Sequence, residues 1–141
     1  MYDRVIVPTD GSEIAERGVE EGLEVAEGLD IPALCIYVMH ISAFEELGEE
    51  MHEDDIHRGM ENVGEKALKK VRIKAHDMGV EIETKNLIGE PYKRIVDIAD
   101  EDDIIYMSSH GASGFSELVF GSTTERVVKK AGCTVAVVKA R

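Results

Sequence analysis

Two stretches hold residue types from which a phosphate or nucleoside site can be built. One is Pro8-Thr9-Asp10-Gly11-Ser12. The other is MSSHGASGFSELVFGSTTERV, from Met107 to Val127, with three glycines and five serines between Met107 and Ser122. Gly111 and Gly114 admit positive φ and let backbone amides face a ligand with no Cβ in the way. Gly121-Ser122-Thr123 opens an amphipathic run, where the free N–H groups and dipole of a helix start favour an anion. Ser122 and Thr123 add hydroxyl donors. A purely structural version gives a Gly-rich turn, a Ser cap and a helix. Asp10 carries the same duality. A strand-end carboxylate can bind ribose hydroxyls or a nucleobase amine, or serve as a second cap acceptor beside Ser12. Ser12 itself suits an N-cap, with Glu13 and Glu16 placed for the positive end of a first turn.

Known phosphate loops do not fit. G-x-x-x-x-G-K-[ST] needs a lysine where Ser122 stands, and G-x-G-x-x-G is absent after the first apolar run, which disfavours a nicotinamide cofactor. His110 lies between Ser109 and Gly111, close to any phosphate, and suits a helper contact or packing better than catalysis, since no nucleophile–base pair is legible. His40 reads as structural. His52 and His57 flank three acids, but i, i+5 spacing puts them on different helix faces, so no metal site is assigned. Cys35 and Cys133 sit in or beside apolar runs and read as reduced thiols without metal-ligand companions.

These groups must be positioned by elements that the apolar pattern outlines. Val5-Ile6-Val7 is a buried strand ending at Pro8. Ala15, Gly18, Val19, Gly22, Leu23, Ala26 and Leu29 recur at helical spacing. Ala33 to Met39 is a second strand, and a long helix spans about Asp55 to Met78. Val80 to Thr84 alternates like a strand exposed on one face. Tyr92 to Ala99 marks a short helix, Ile104 to Met107 a buried strand, Ser122 to Ala131 a helix, and Thr134 to Val138 a last strand. The alternation predicts an α/β fold: one domain, 1–141, doubly wound, with five parallel strands, right-handed crossovers and helices on both faces. Residues His40 to about Asp54 are expected to be a solvated excursion, or a lid, with seven acids from Glu45 to Asp55.

The 141-residue chain has a net charge of −13, 43% hydrophobic and 32% charged residues, as a globular domain does. That charge and the few aromatics disfavour nucleic acid as a partner. No apolar run is long enough for a membrane span, and the charged start MYDRVIVPTD points to a cytoplasmic location. The charge is uneven. From Ile104 onward Arg126, Lys129, Lys130, Lys139 and Arg141 face Glu117 and Glu125, a balance of +3, which leaves −16 on residues 1–103.

The segments VIVPTDGSEIA, MSSHGASGFSELVFGSTTERVV and TVAVVK resemble the universal stress protein family, and the likeness covers essentially the whole chain. The family's nucleotide-binding branch carries G-x2-G-x9-G-[S/T]. Gly111 and Gly121-Ser122 match its latter part, while Ser108 stands where the first glycine falls and adds a side chain near the expected ribose position. The resemblance implies strand order 3-2-1-4-5 and a homodimer paired through Thr134 to Val138. It implies ATP, or AMP or ADP, with Mg2+ or Mn2+ held through the phosphates. Pro8, Thr9 and Asp10 would meet the adenosine, Val38 would present backbone to adenine, and Met107 and Ser108 would border the ribose. Gly111, Gly121, Ser122 and Thr123 would cradle phosphates. The function so implied is a nucleotide-dependent regulatory module of the stress response with a further protein partner. The alternatives are a nucleotide-free dimeric scaffold and a slow ATPase.

Overall fold

The computed structural model describes residues 1–49, 51–110 and 120–139. Its elements run β1 (Arg4–Thr9), α1 (Glu13–Leu29), β2 (Ala33–His40), α2 (Ile41–Gly48), α3 (Glu53–Met78), β3 (Ile82–Gly89), α4 (Pro91–Ile98), β4 (Asp103–Ser108), α5 (Ser122–Lys130) and β5 (Thr134–Val138). The strands form one sheet in the order β3-β2-β1-β4-β5, and every pairing is parallel.

Alternation along each strand sorts side chains to the two faces. Val5 and Val7 of β1, Cys35 and Tyr37 of β2 and Ile104 of β4 pack with Val19 and Leu23 of α1 and Leu68, Val71 and Ala75 of α3. Ile6, Leu34, Ile36, Ile105 and Met107 point the opposite way, onto Ile95 of α4 and Val127 of α5. Central strands buried on both faces read as continuous apolar runs, which is why β1, β2 and β4 were visible as such in the sequence. The buried Arg4–Asp103 pair, 2.7 Å between Nη2 and Oδ2, ties the beginnings of β1 and β4 together.

Two segments depart from the sequence reading. The excursion after β2 is not a loop throughout, because Ile41–Gly48 forms α2. The imidazole of His40, an uncommon cap, supplies its start by accepting the Ser42 N–H at 3.1 Å. Glu53, Asp54 and Asp55 occupy the first turn of α3, where the helix dipole stabilises carboxylates. The third strand is Ile82–Gly89, later and longer than Val80–Thr84. Val80 belongs instead to the end of α3: Gly79 takes φ +74°, and the Val80 N–H returns to the Ala75 carbonyl at 2.9 Å. Lys85 and Asn86 hid the remainder of the strand, since an edge strand tolerates polar residues that interrupt the apolar pattern.

Candidate nucleotide site

β1 and β4 part company at the carboxyl end of the sheet, and a backbone detail explains where. The Val5 N–H bonds the Pro32 carbonyl on the β2 side, 3.0 Å away. Successive residues of a strand face alternate neighbours, so Ile6 and Pro8 face β4. Pro8 has no N–H to offer there. Pairing of β1 with β4 accordingly runs only from Arg4↔Asp103 to Ile6↔Ile105, while pairing with β2 continues to Thr9↔Tyr37. The sheet thus opens a crevice at the point where strand order reverses, the usual ligand position of such folds.

The turn after β1 is held by short-range bonds. Thr9 Oγ1 accepts the Gly11 N–H at 3.0 Å, Asp10 Oδ1 accepts the Ser12 N–H at 2.9 Å, and Ser12 Oγ accepts the Ala15 N–H at 3.2 Å. Gly11 sits at φ +81°, a backbone state that glycine adopts without strain. Ser12 is therefore the N-cap of α1. Asp10 fixes the turn with one oxygen, and its exposed carboxylate borders the crevice.

The β4 exit is tied to α5. The Ser109 N–H reaches the Val138 carbonyl, the Gly121 N–H reaches the Ser109 carbonyl, both at 2.8 Å, and Thr124 Oγ1 donates to the Ser108 carbonyl at 2.9 Å. These bonds aim the start of α5 into the crevice. Gly121 is its cap residue and provides no side-chain cap, and the first return bond of the helix is from the Glu125 N–H to the Gly121 carbonyl. The amides of Ser122, Thr123 and Thr124 consequently have no acceptor among the described residues, and all three residues line the cavity. Glu125 also lies in this first turn. Its hydrogen bond to Lys129 at 2.8 Å, followed by the Lys129 and Arg126 charges, lowers its pKa.

The resulting cavity encloses about 400 Å3. Pro8, Thr9, Asp10, Val38, Met107, Ser108, Gly121, Ser122 and Thr123 all line it. Gly111, like Gly114, lies outside the described residues. The sequence did not mark Ala15, Ile36, Tyr37, Met39, Pro91, Ile95 or Thr124 as part of the wall, and His40, expected to be structural, borders the same space. Pro91 had a signal, as proline at the first turn of a helix following Gly89-Glu90. The others are ordinary strand and helix residues without a chemical signature. His110 is buried and reaches the cavity, and its Nδ1 lies 2.9 Å from Ser109 Oγ. Ser109 does not line the cavity, so this pair orients the ring rather than presenting a nucleophile.

Ser108 differs from the sequence expectation. Its hydroxyl is not directed at the cavity but enters α1, accepting the Gly18 N–H at 3.0 Å and donating to the Ile14 carbonyl at 2.7 Å. Those two groups are i, i+4 partners in a helix, so the serine shares their bond. Gly18 makes the approach possible, because a Cβ there would stand 2.6 Å from the Ser108 nitrogen.

Comparison with known proteins agrees with this architecture. The model of the universal stress protein family matches residues 1–139. The chain belongs to that family. This universal stress protein is 36% identical to universal stress protein MJ0531 of Methanocaldococcus jannaschii, over 99% of this chain and 83% of the relative. The solved structure of the hypothetical protein MJ0577 superposes with a TM-score of 0.83 at 27% identity, covering 100% of this chain and 98% of that one. A universal stress protein from Archaeoglobus fulgidus, solved in complex with dAMP, shares the fold at a TM-score of 0.61 and 24% identity, over 99% and 98% of the two chains.

Proposed function

We propose that this universal stress protein binds an adenine nucleotide, ATP in its working state, in the cavity between β1 and β4, and acts as a nucleotide-dependent regulatory module. The observation that carries the reading is the set of amides at Ser122, Thr123 and Thr124, which have no acceptor among the described residues and belong to residues lining the same cavity that Asp10 borders. Amides at a helix start suit phosphate oxygens, and a carboxylate at the strand exit suits ribose hydroxyls. The A. fulgidus relative with dAMP supports the choice of an adenine nucleotide. Val38 would present backbone to the base, and Met107 would border the ribose. A divalent cation would be held through the phosphates themselves. Bound in this way, triphosphate charge is met by local amides inside a protein of net charge −13.

The outer edge of β5, which among the described residues pairs only with β4, supports a homodimer formed through Thr134–Val138. A nucleotide that binds two arrangements of such a dimer unequally shifts their populations, which is what a regulatory partner would read. The test is nucleotide affinity in Asp10→Ala and Gly121→Val, with folding checked by circular dichroism. Loss of at least about tenfold in each is expected, equivalent to roughly 1.4 kcal/mol. Unchanged affinity in both would show that the site is wrong.

A further inference from the structure

The opposite face of the sheet carries a second cleft, about 370 Å3, between α1 and α3. Thr9, Asp10 and Tyr37 border it as well as the cavity described above, but its remaining walls are different residues. We propose that this cleft binds a small carboxylic acid with an apolar body, its carboxylate held between Lys66 and Lys70 of α3.

The floor is apolar, formed by Val19 and Val71, both buried, together with the Tyr37 ring. At the lip Val63 is 54% exposed, a large apolar side chain left uncovered beside an open cavity. An apolar body seated there would cover it. The rim is cationic on the α3 side. Lys66, Lys70 and Lys74 stand at four-residue intervals, hence on one face of the helix. Lys74 is already paired with Glu20 of α1 at 2.7 Å. Lys66 and Lys70 make no ion pair among the described residues, although 29 acids are available in the chain. Two ammonium groups one turn apart at the mouth of an apolar cleft suit a carboxylate, whose charge-assisted hydrogen bonds are roughly twice as strong as neutral ones. Tyr37 borders the cleft too, and burial and then the Asp10 charge raise its pKa. The volume falls at the small end of ligand cavities, about 300–1,000 Å3, and matches an acid with one ring or a branched chain. Asp10 and Glu16 border the α1 side, so the acid can be a plain carboxylate or carry an α-ammonium group facing them.

The experiment is an NMR titration of the full chain with 3-phenylpropionate, phenylalanine and phenethylamine, repeated on the Lys66→Gln/Lys70→Gln variant. Both lysines are exposed, so the variant is expected to fold. Saturable shifts at the methyls of Val19, Val63 and Val71 and at the Tyr37 ring are expected with at least one of the two carboxylates. They should be weaker by about tenfold or more in the variant. Tighter binding of phenylalanine supports the amino-acid form, and tighter binding of 3-phenylpropionate supports the plain acid. The proposal is overturned if neither carboxylate gives saturable shifts, if the shifts lie elsewhere, if the amine binds as well as the acids, or if the variant binds undiminished.

Discussion

Replacing Ser108 separates the two things a serine could do at the β4 exit. Its hydroxyl accepts from the Gly18 N–H at 3.0 Å and donates to the Ile14 carbonyl at 2.7 Å, both in buried or half-buried surroundings. If both groups were left unpaired, the loss would cost about 1–3 kcal/mol for each of them. They need not be, because Gly18 and Ile14 are natural i, i+4 partners and can close on each other once the hydroxyl is gone. Ser108→Ala is therefore expected to cost about 1 kcal/mol, or a fall of about 3–4 °C in Tm for a domain of this size. Ser108→Gly restores the glycine of the family pattern but adds backbone freedom worth roughly 0.5–1 kcal/mol, so its Tm should fall further. The hydroxyl is turned into α1, so neither change should alter ATP affinity by more than about twofold, some 0.4 kcal/mol. Thermal denaturation followed by circular dichroism reads the first effect and calorimetric titration the second. An affinity gain of about tenfold or more in Ser108→Gly, with no loss of Tm, would refute the reasoning and show that the side chain obstructs the cavity.

Other consequences follow from the packing and the buried charges. Gly18→Ala should destabilise by about 3 kcal/mol, because its Cβ would lie 2.6 and 2.8 Å from backbone atoms of β4. Gly28→Ala and Gly59→Ala, where nothing lies within 4 Å, should instead stabilise by up to about 1 kcal/mol. Urea denaturation of the three variants checks the contrast. Asp103→Ala removes the nearer carboxylate from Arg4, leaving it Asp100 at 3.9 Å and the Ile98 carbonyl at 3.5 Å, and takes away the side-chain acceptor of the Asp100 N–H. About 3 kcal/mol should be lost, the low end for a broken buried pair, as Arg4 keeps 25% exposure. Burial pushes the Cys35 thiol up to about 12, above its ordinary 9.0. Above pH 9 the unfolded thiol ionises while the native one does not, so this contribution to stability is complete below pH 9 and is lost as pH rises towards 12. Across that range the urea midpoint should fall with pH less in Cys35→Ala than in the parent protein.

The sequence displayed the parts of the fold whose residues face only one environment. Val5–Val7 and residues 33–37 are buried throughout, as are Ile104, Ile105 and Met107, and Thr134–Val138 was bounded correctly at both ends. α2 escaped notice because its cap is a histidine side chain and its flanking acids resemble a solvated loop. β3 was displaced because Val80, apolar and buried, serves the end of α3 rather than the sheet. At the candidate site, the chemistry-bearing residues Asp10, Gly121, Ser122 and Thr123 were legible from type and spacing. Where Ser108 points was not, since that depends on Gly18, ninety residues earlier, letting a helix approach the strand backbone. Tyr37 and Ile95 were hidden for another reason: an apolar residue that lines a cavity has the same signature as one that fills a core.

The central claim is that the amides of α5 and the Asp10 carboxylate enclose a nucleotide. Calorimetric titration of nucleotide-stripped protein with ATP and with adenosine, each with and without Mg2+, tests it most directly. Saturable one-site binding of ATP is expected, with at least about tenfold weaker binding of adenosine, because the phosphates carry the contacts to the helix start. Equal affinity for ATP and adenosine, or no binding of ATP by protein whose fold is intact, would contradict it.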